Sequence, residues 1–225
     1  MPQNRFFVSD IGHPVLSEEE WKHFKVMRLH DGEVFELVDG KGSIALASLA
    51  DKNITVHEST KEKESSPLII AQAIPRLNRI DIILEKGCEL GMTEILLFAG
   101  ELSEKTSISE NQHRRFETIL INAMKQSGRL YLPKMTIVED IESIVSSHKD
   151  KSLLFGDITP GITPLIKQDL KEGIVFFVGP EKGFTKNETK RLKDLGANGV
   201  SLSPYILRTD TAPLAALAII SQSRL

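Results

Sequence analysis

Ile174-Val-Phe-Phe-Val178, followed by Gly179-Pro-Glu-Lys-Gly183 and Thr185-Lys-Asn-Glu188, decides the fold class. The first five residues are apolar without a break, as a strand buried on both faces requires. The next five form a loop in which Gly179 and Gly183 permit close backbone approach or positive φ. Thr185 and Glu188 have capping-box spacing, so a helix starts there. Strand, Gly-rich loop and capped helix make the repeating unit of an open α/β sheet, where ligands sit off the carboxyl ends of the strands. Neither GxGxxG nor GxxxxGK[ST] is present, so the loop is not a dinucleotide fingerprint or a P-loop. By itself it reads equally as an ordinary tight turn.

The same alternation extends on both sides. Strands are predicted at 68–74, 94–99, 135–138, 152–155 and 199–202, and helices at 78–90, 109–127, 141–148, 186–195 and 211–224. This order predicts a mostly parallel sheet with helices packed on it. The first 66 residues read differently. Short strands at 5–8, 33–38, 43–49 and 53–57, a hairpin turn at Asp39-Gly-Lys-Gly42 and a capped helix after Ser17 suggest a small β-barrel. Between the two patterns, Glu58 to Pro67 is polar and charged and reads as a linker or exposed loop. The expected domains are therefore 1–66 and 67–225.

Composition narrows the class. The chain of 225 residues is long enough to bury a core without staples. It has no apolar run of membrane-spanning length, and the stretch from Met1 to Asp10 lacks the charged and apolar regions of an export signal. A cytoplasmic location is expected, and the single cysteine, Cys88, suits a reducing compartment. Cys88 sits in a helix beside Leu90 and reads as core. The six histidines form no metal-ligand spacing, so no metal is expected. A net charge of -3 is a mild argument against nucleic-acid binding, although charge can be patchy.

Two further segments can carry chemistry. Leu202-Ser-Pro-Tyr-Ile-Leu-Arg-Thr-Asp-Thr-Ala212 joins a strand to the last helix, and Thr209 or Asp210 can cap that helix. Arg208 precedes a helix N-terminus, where a cation gains nothing from the helix dipole. It either bridges Glu181 or Asp210 or faces a site. Ala123-Met-Lys-Gln-Ser-Gly-Arg129 ends a long helix, with Gly128 as its terminator.

Together with Gly179-Pro-Glu-Lys-Gly183, these segments resemble motifs of the bacterial 16S rRNA (uracil-N3)-methyltransferases of the SPOUT superfamily. Asn78-Arg-Ile-Asp81 with Glu85-Lys-Gly-Cys-Glu-Leu-Gly91 matches another motif, and Arg5-Phe-Phe-Val8 and His23-Phe-Lys-Val-Met-Arg28 match its N-terminal domain. The resemblance spans essentially the whole chain. It departs at Lys182 and Ser203, where the family has glycine, at Asp210, where it has glutamate, and at Lys105, where it has arginine.

The resemblance implies a PUA-like β-barrel followed by a SPOUT-type, trefoil-knotted, mostly parallel α/β sheet with helices on both faces. It implies S-adenosylmethionine-dependent methylation of N3 of a uridine in 16S ribosomal RNA, at position 1498 of that RNA, by a homodimer. The cofactor would be held by Val178, Gly179, Glu181, Gly183, Leu202, Ser203, Ile206 and Leu207. Arg208 would be catalytic, stabilising the anion formed at N3. Arg5, Arg28, Arg79, Lys105 and Arg129 would bind RNA on the small ribosomal subunit. The competing readings are a SPOUT enzyme acting on another RNA such as tRNA, and a non-catalytic RNA-binding or ribosome-assembly module.

Overall fold

The computed structural model describes residues 4–51, 53–170 and 172–225; residues 1–3 of the N-terminal stretch lie outside them. The chain forms two compact units. The first runs to residue 65 and takes up 120–132; the second holds 66–119 and 133–225.

The first unit is a four-stranded sheet, β1 (Arg5–Phe7), β2 (Val34–Val38), β3 (Ser43–Ala50) and β4 (Asn53–Lys61), in that order, with a helix α1 (Glu18–Val26). Alternation places Phe35 and Leu37 of β2 and Ala45, Ala47 and Leu49 of β3 inward, where they share a core with Phe6 and with Phe24 of α1. Phe6 and Phe24 each meet Phe35 edge-on. The turn at 39–42 is built as its sequence predicts: Asp39 Oδ1 accepts the N–H groups of Lys41 and Ser43 at 2.8 and 3.0 Å. Ser17 caps α1, accepting the Glu20 N–H at 3.2 Å. The Glu20 side chain is used elsewhere. It is buried, and its Oε1 takes the ammonium of buried Lys125 at 2.5 Å.

One expectation is corrected here. The polar stretch from Glu58 is not all linker: β4 continues to Lys61, and only 62–67 is irregular. β4 is an edge strand, exposed along most of its length, so it carries the polar sequence of a loop.

The second unit is a six-stranded sheet in which every neighbouring pair is parallel. Its strands are β5 (Leu68–Ala73), β6 (Glu94–Phe98), β7 (Lys134–Ile137), β8 (Ser152–Gly156), β9 (Ile174–Val178) and β10 (Asn198–Val200), ordered β10-β8-β9-β5-β6-β7. Its helices are α2 (Leu77–Glu89), α4 (Ile141–Ser147), α5 (Lys186–Asp194) and α6 (Thr211–Ser223), and it holds residues 110–119 of α3 (Glu110–Ser127), whose remainder belongs to the first unit. β5 and β9 are buried at every residue. On one sheet face Ala71, Ala73, Phe155, Val175 and Phe177 pack with Ile141 and Ile144 of α4 and Leu192 of α5. On the other, α6 packs on β9 and on α2. A methyl group at Gly87 of α2 would lie 3.0 Å from Met92 and 3.5 Å from Leu217.

Element ends follow local rules. α3 stops at Gly128 (φ +81), where the Arg129 N–H reaches back to Met124 O at 3.1 Å. α5 has its full capping box between Thr185 and Glu188. β10 ends two residues before the expected 202, because the Ser201 N–H turns to Thr163 O and leaves the ladder. No helix among the described residues is long and apolar enough to cross a membrane.

Arg224, just past α6, donates to the carbonyls of Leu170, Glu172, Ser66 and Pro67. It thereby ties the end of the chain to the segments entering β9 and β5. Burial pushes its pKa down. Charge-assisted hydrogen bonds of this kind carry about 2–3 kcal/mol together after solvent competition. Arg224→Met is expected to lower the melting temperature by roughly 5–10 °C, read by calorimetry. An unchanged melting temperature would show that water replaces the guanidinium at no cost.

Candidate active site

Two loops leave the carboxyl ends of β9 and β10 and, with the end of β8, enclose a cavity of about 390 Å³. Val178, Gly179, Glu181, Gly183, Leu202, Ser203, Ile206 and Leu207 all line it. Its volume is within the range of small-molecule sites. It opens at the carboxyl ends of β8, β9 and β10, the edge of an open α/β sheet on which ligands bind.

The two loops are fastened to each other. Thr209 Oγ1 donates to Gly179 O at 2.8 Å. Gln72 of β5 donates its Nε2 to Thr209 Oγ1 at 3.1 Å and to Gly179 O at 3.3 Å. The capping role expected of Thr209 or Asp210 is not what the structure holds, since α6 has no side-chain cap at its start. The Thr209 hydroxyl is committed to Gly179, and the Asp210 carboxylate is drawn to Arg79, with which it makes an ion pair.

Backbone geometry explains which loop glycines matter. A methyl group at Gly179 would lie 2.8 Å from the Phe184 nitrogen and 2.9 Å from the Gly183 carbonyl carbon. Gly183 has φ +73, a left-handed value that suits glycine. Lys182 and Ser203 are absent from the positive-φ residues, so the two departures from glycine bring no backbone strain. Ser203 Oγ instead accepts the Tyr205 N–H at 3.1 Å and stiffens its turn.

Asp157, which no sequence motif singles out, also lines the cavity. Its Oδ1 accepts the Thr159 N–H at 2.9 Å and the Thr159 hydroxyl at 2.7 Å, and Lys193 lies 3.4 Å from Oδ2. Burial raises its pKa, but the Thr159 bonds and Lys193 outweigh this and hold the carboxyl below its ordinary range. The signal was a lone acid at the carboxyl end of an apolar strand. Gln72 was missed too, although it is the only polar residue in the strand Leu68–Ala73.

The expected charged residues divide into two groups. Arg208 is exposed and does not line the cavity, although its neighbours Leu207 and Thr209 do. The bridges to Glu181 or Asp210 are not made: Glu181 accepts the Arg76 N–H at 2.9 Å, and Asp210 holds Arg79. Arg28, in a left-handed conformation with φ +54, and Lys105 are exposed, and Arg129 is partly buried. Arg5 and Arg79 depart from the surface role expected of them. The Arg5 side chain is 8% exposed and lies 2.7 Å from Glu36, so its charge is spent inside the first unit. Arg79 spends its charge on Asp210 at the start of α6. Cys88 is buried, and no three potential metal ligands gather among the described residues.

Ile158, Ile166, Tyr205 and Ile206 are each at least 71% exposed. With Leu165 and Ile219 of α6 they line a second, shallower cavity. α6 is apolar nearly all round, with Leu214, Ala215, Ala216, Leu217, Ala218, Ile219 and Ile220 in one run. Within the chain it buries Pro213, Ala216, Leu217 and Ile220, while Leu214, Ala215 and Ile219 stay half-buried and Ala218 is exposed.

Residues 61–221 match the model of an RNA methyltransferase domain, and 16–57 match that of an RNA methyltransferase PUA domain. The ribosomal RNA small subunit methyltransferase E of Synechocystis sp. is 32% identical over 213 residues, covering 88% of this chain and 68% of its own. The solved structure of the ribosomal RNA small subunit methyltransferase E from Neisseria gonorrhoeae, bound to S-adenosyl methionine, aligns with a TM-score of 0.83 at 29% identity over 98% of both chains. A likeness of fold alone extends to the SpoU tRNA modifying enzyme of A. aeolicus, with a TM-score of 0.51 at 12% identity, covering 72% of this chain and 77% of that one.

Because the space at Gly179 is closed by backbone, Gly179→Ala must move the 179–184 turn. The expected cost is about 1–3 kcal/mol, the scale of overpacking. It should appear as a lower denaturant midpoint at unchanged slope, and an unchanged midpoint would show that the turn yields freely.

Proposed function

We propose that this chain, which belongs to the RNA methyltransferase family and carries that family's PUA domain, methylates N3 of a specific uridine in 16S ribosomal RNA of the small subunit, using S-adenosylmethionine. The observation that carries the reading is the cavity: its walls are the two loops bearing the family motifs, and the Thr209–Gly179 bond holds them together. The knotted path implied by the resemblance and a cytoplasmic location belong to the same reading.

The cavity fits the cofactor. Its volume suits a small molecule. Leu202, Ile206 and Leu207 offer apolar walls to a purine, and the backbone of 179–183 offers polar groups beside them. Lys182 and Ser203 leave that backbone unstrained, which weighs against a silent, cofactor-free module. When bound, S-adenosylmethionine supplies a methyl group already activated on a sulfonium.

Three tasks fall to the chain's own residues. The loop residues orient the cofactor, so that alignment supplies much of the rate. The RNA-binding surface presents the uridine unstacked, since N3 lies on the pairing edge. Arg28 and Lys105 are exposed cations suited to RNA phosphates. Arg208 places a permanent positive charge beside the pocket and stabilises the uracil anion formed when the N3 proton passes to solvent water. With no carboxylate paired to it among the described residues, its charge remains available.

The active form is a homodimer. Ile158, Ile166, Tyr205, Ile206 and the open side of α6 supply an exposed apolar surface of the kind that marks an interface.

Methylation mapping by mass spectrometry should show one uridine of 16S ribosomal RNA losing its methyl group in a strain lacking the gene. A loss in tRNA instead would overturn the target. Arg208→Ala should slow methyl transfer by roughly a hundredfold, the scale for losing one stabilising donor. Cofactor affinity and melting temperature should hold; loss of stability in step with rate would make Arg208 a clamp. Arg28→Glu should weaken RNA binding without changing cofactor affinity. Light scattering at micromolar concentration should give a dimer mass for the wild type and a monomer mass for Ile166→Glu. A monomeric wild type would remove the dimer.

A further inference from the structure

Gln72 is wholly buried at the end of the most central strand pair, in a strand otherwise made of Leu, Ile and Ala. Its Nε2 has two hydrogens and three acceptors in reach: Ala73 O at 2.9 Å, Thr209 Oγ1 at 3.1 Å and Gly179 O at 3.3 Å. Thr209 Oγ1 passes its own hydrogen to Gly179 O at 2.8 Å. The result is a short relay from amide to hydroxyl to carbonyl, in which each bond polarises the next.

The arrangement carries two costs. Gln72 Oε1 is buried without a partner among the described residues. The Thr209 hydroxyl stands one residue from the start of α6 and gives that helix no cap. A methionine or leucine at 72 would fill similar space with neither an unpaired oxygen nor a claim on Thr209. Stability therefore does not account for the amide. Its connections do. Gly179 begins one wall of the cavity, and Thr209 lies in the other, next to Arg208. Gln72, fixed by the pairing of β5 with β9, is the rigid post to which both walls are hydrogen-bonded.

We propose that Gln72 is a positioning residue for the cofactor pocket, holding Thr209 and Gly179 so that the two loops keep one spacing. The proposal rests on the reading of this cavity as the S-adenosylmethionine site. Gln72 does not line the cavity and acts through the two residues that do.

The test is calorimetric titration of S-adenosylmethionine into the purified full chain and its variants, with thermal melting of each protein without ligand. Gln72→Met removes the donor at similar volume. It should raise the dissociation constant about tenfold, the loss of one or two buried hydrogen bonds. Its melting temperature should stay within about 3 °C of wild type or rise. Thr209→Val should weaken binding similarly, and the double variant should be no weaker than the weaker single one, because both act through one relay. Gln72→Glu supplies the rescue. Its buried carboxyl donates a hydrogen only when protonated, so its affinity relative to wild type should recover as the pH is lowered from about 8 to 6, within the raised range of buried carboxyls.

Unchanged affinity in Gln72→Met, additive losses in the double variant, or no recovery of Gln72→Glu at lower pH would overturn the proposal. So would a Gln72→Met protein that fails to fold or melts far lower, since the amide would then be structural. A wild-type protein that binds no S-adenosylmethionine would overturn the reading of the pocket itself, and this outcome is distinct from a binding wild type with an unaffected Gln72→Met.

Discussion

The pairing of β5 with β9 is the constraint on which the second unit depends. Both strands are buried along their whole length, so neither can slip without exposing apolar surface worth about 1.5–3 kcal/mol per large side chain. From this pair the sheet grows in two directions, through β6 and β7 on one side and β8 and β10 on the other. The loops that wall the cavity leave the carboxyl ends of β9 and β10, which flank β8, so strand order decides which loops face each other. What strand order leaves free is the spacing of the cavity walls, which side-chain hydrogen bonds set through Gln72 and Thr209.

Electrostatics around the loops depends on which partners are already taken. Asp210 takes Arg79 and Glu104 takes Arg76, while the Arg76 N–H takes Glu181. These contacts join the start of α2 to the cavity loops and to the start of α6. They leave Arg208 with an exposed side chain and no carboxylate bound to it among the described residues. A cation beside the start of a helix gains nothing from the helix dipole, and no carboxylate among the described residues offsets it.

Legibility in the sequence tracked the range of the interaction that fixes each feature. Strand and helix positions rest on local periodicity, capping and Gly termini, and their order along the chain matches the structure within a few residues, as at Thr185–Glu188 and Gly128. The eight loop residues share one cavity lining because the two motifs that hold them each follow a strand end. The edge strand β4 was half missed because polar residues suit an exposed strand as well as a loop. Glu20 stands at capping-box spacing from Ser17, yet its carboxylate goes to Lys125, 105 residues away. Arg5, Arg79 and Thr209 likewise have side-chain partners at least 30 residues distant. No local pattern records such pairings. Gln72 is the instructive omission, since an amide alone in an apolar strand is a visible anomaly whose meaning needs the partner loops.

Net charge was a poor guide because it is a sum over the whole chain: an ion pair removes one acid together with one base, so the value of -3 is unchanged by pairing and says nothing of where the remaining charges lie. Glu20 is neutralised by Lys125, Glu36 by Arg5 and Asp210 by Arg79. Lys182, standing where the family has glycine, has a consequence of its own. With Arg76, it helps hold the exposed Glu104 carboxyl below its ordinary range, Arg76 having the larger effect. Glu104 precedes Lys105 in the segment between β6 and α3. Replacing a glycine by lysine at the cavity wall therefore leaves the backbone unstrained while placing a cation close to that segment.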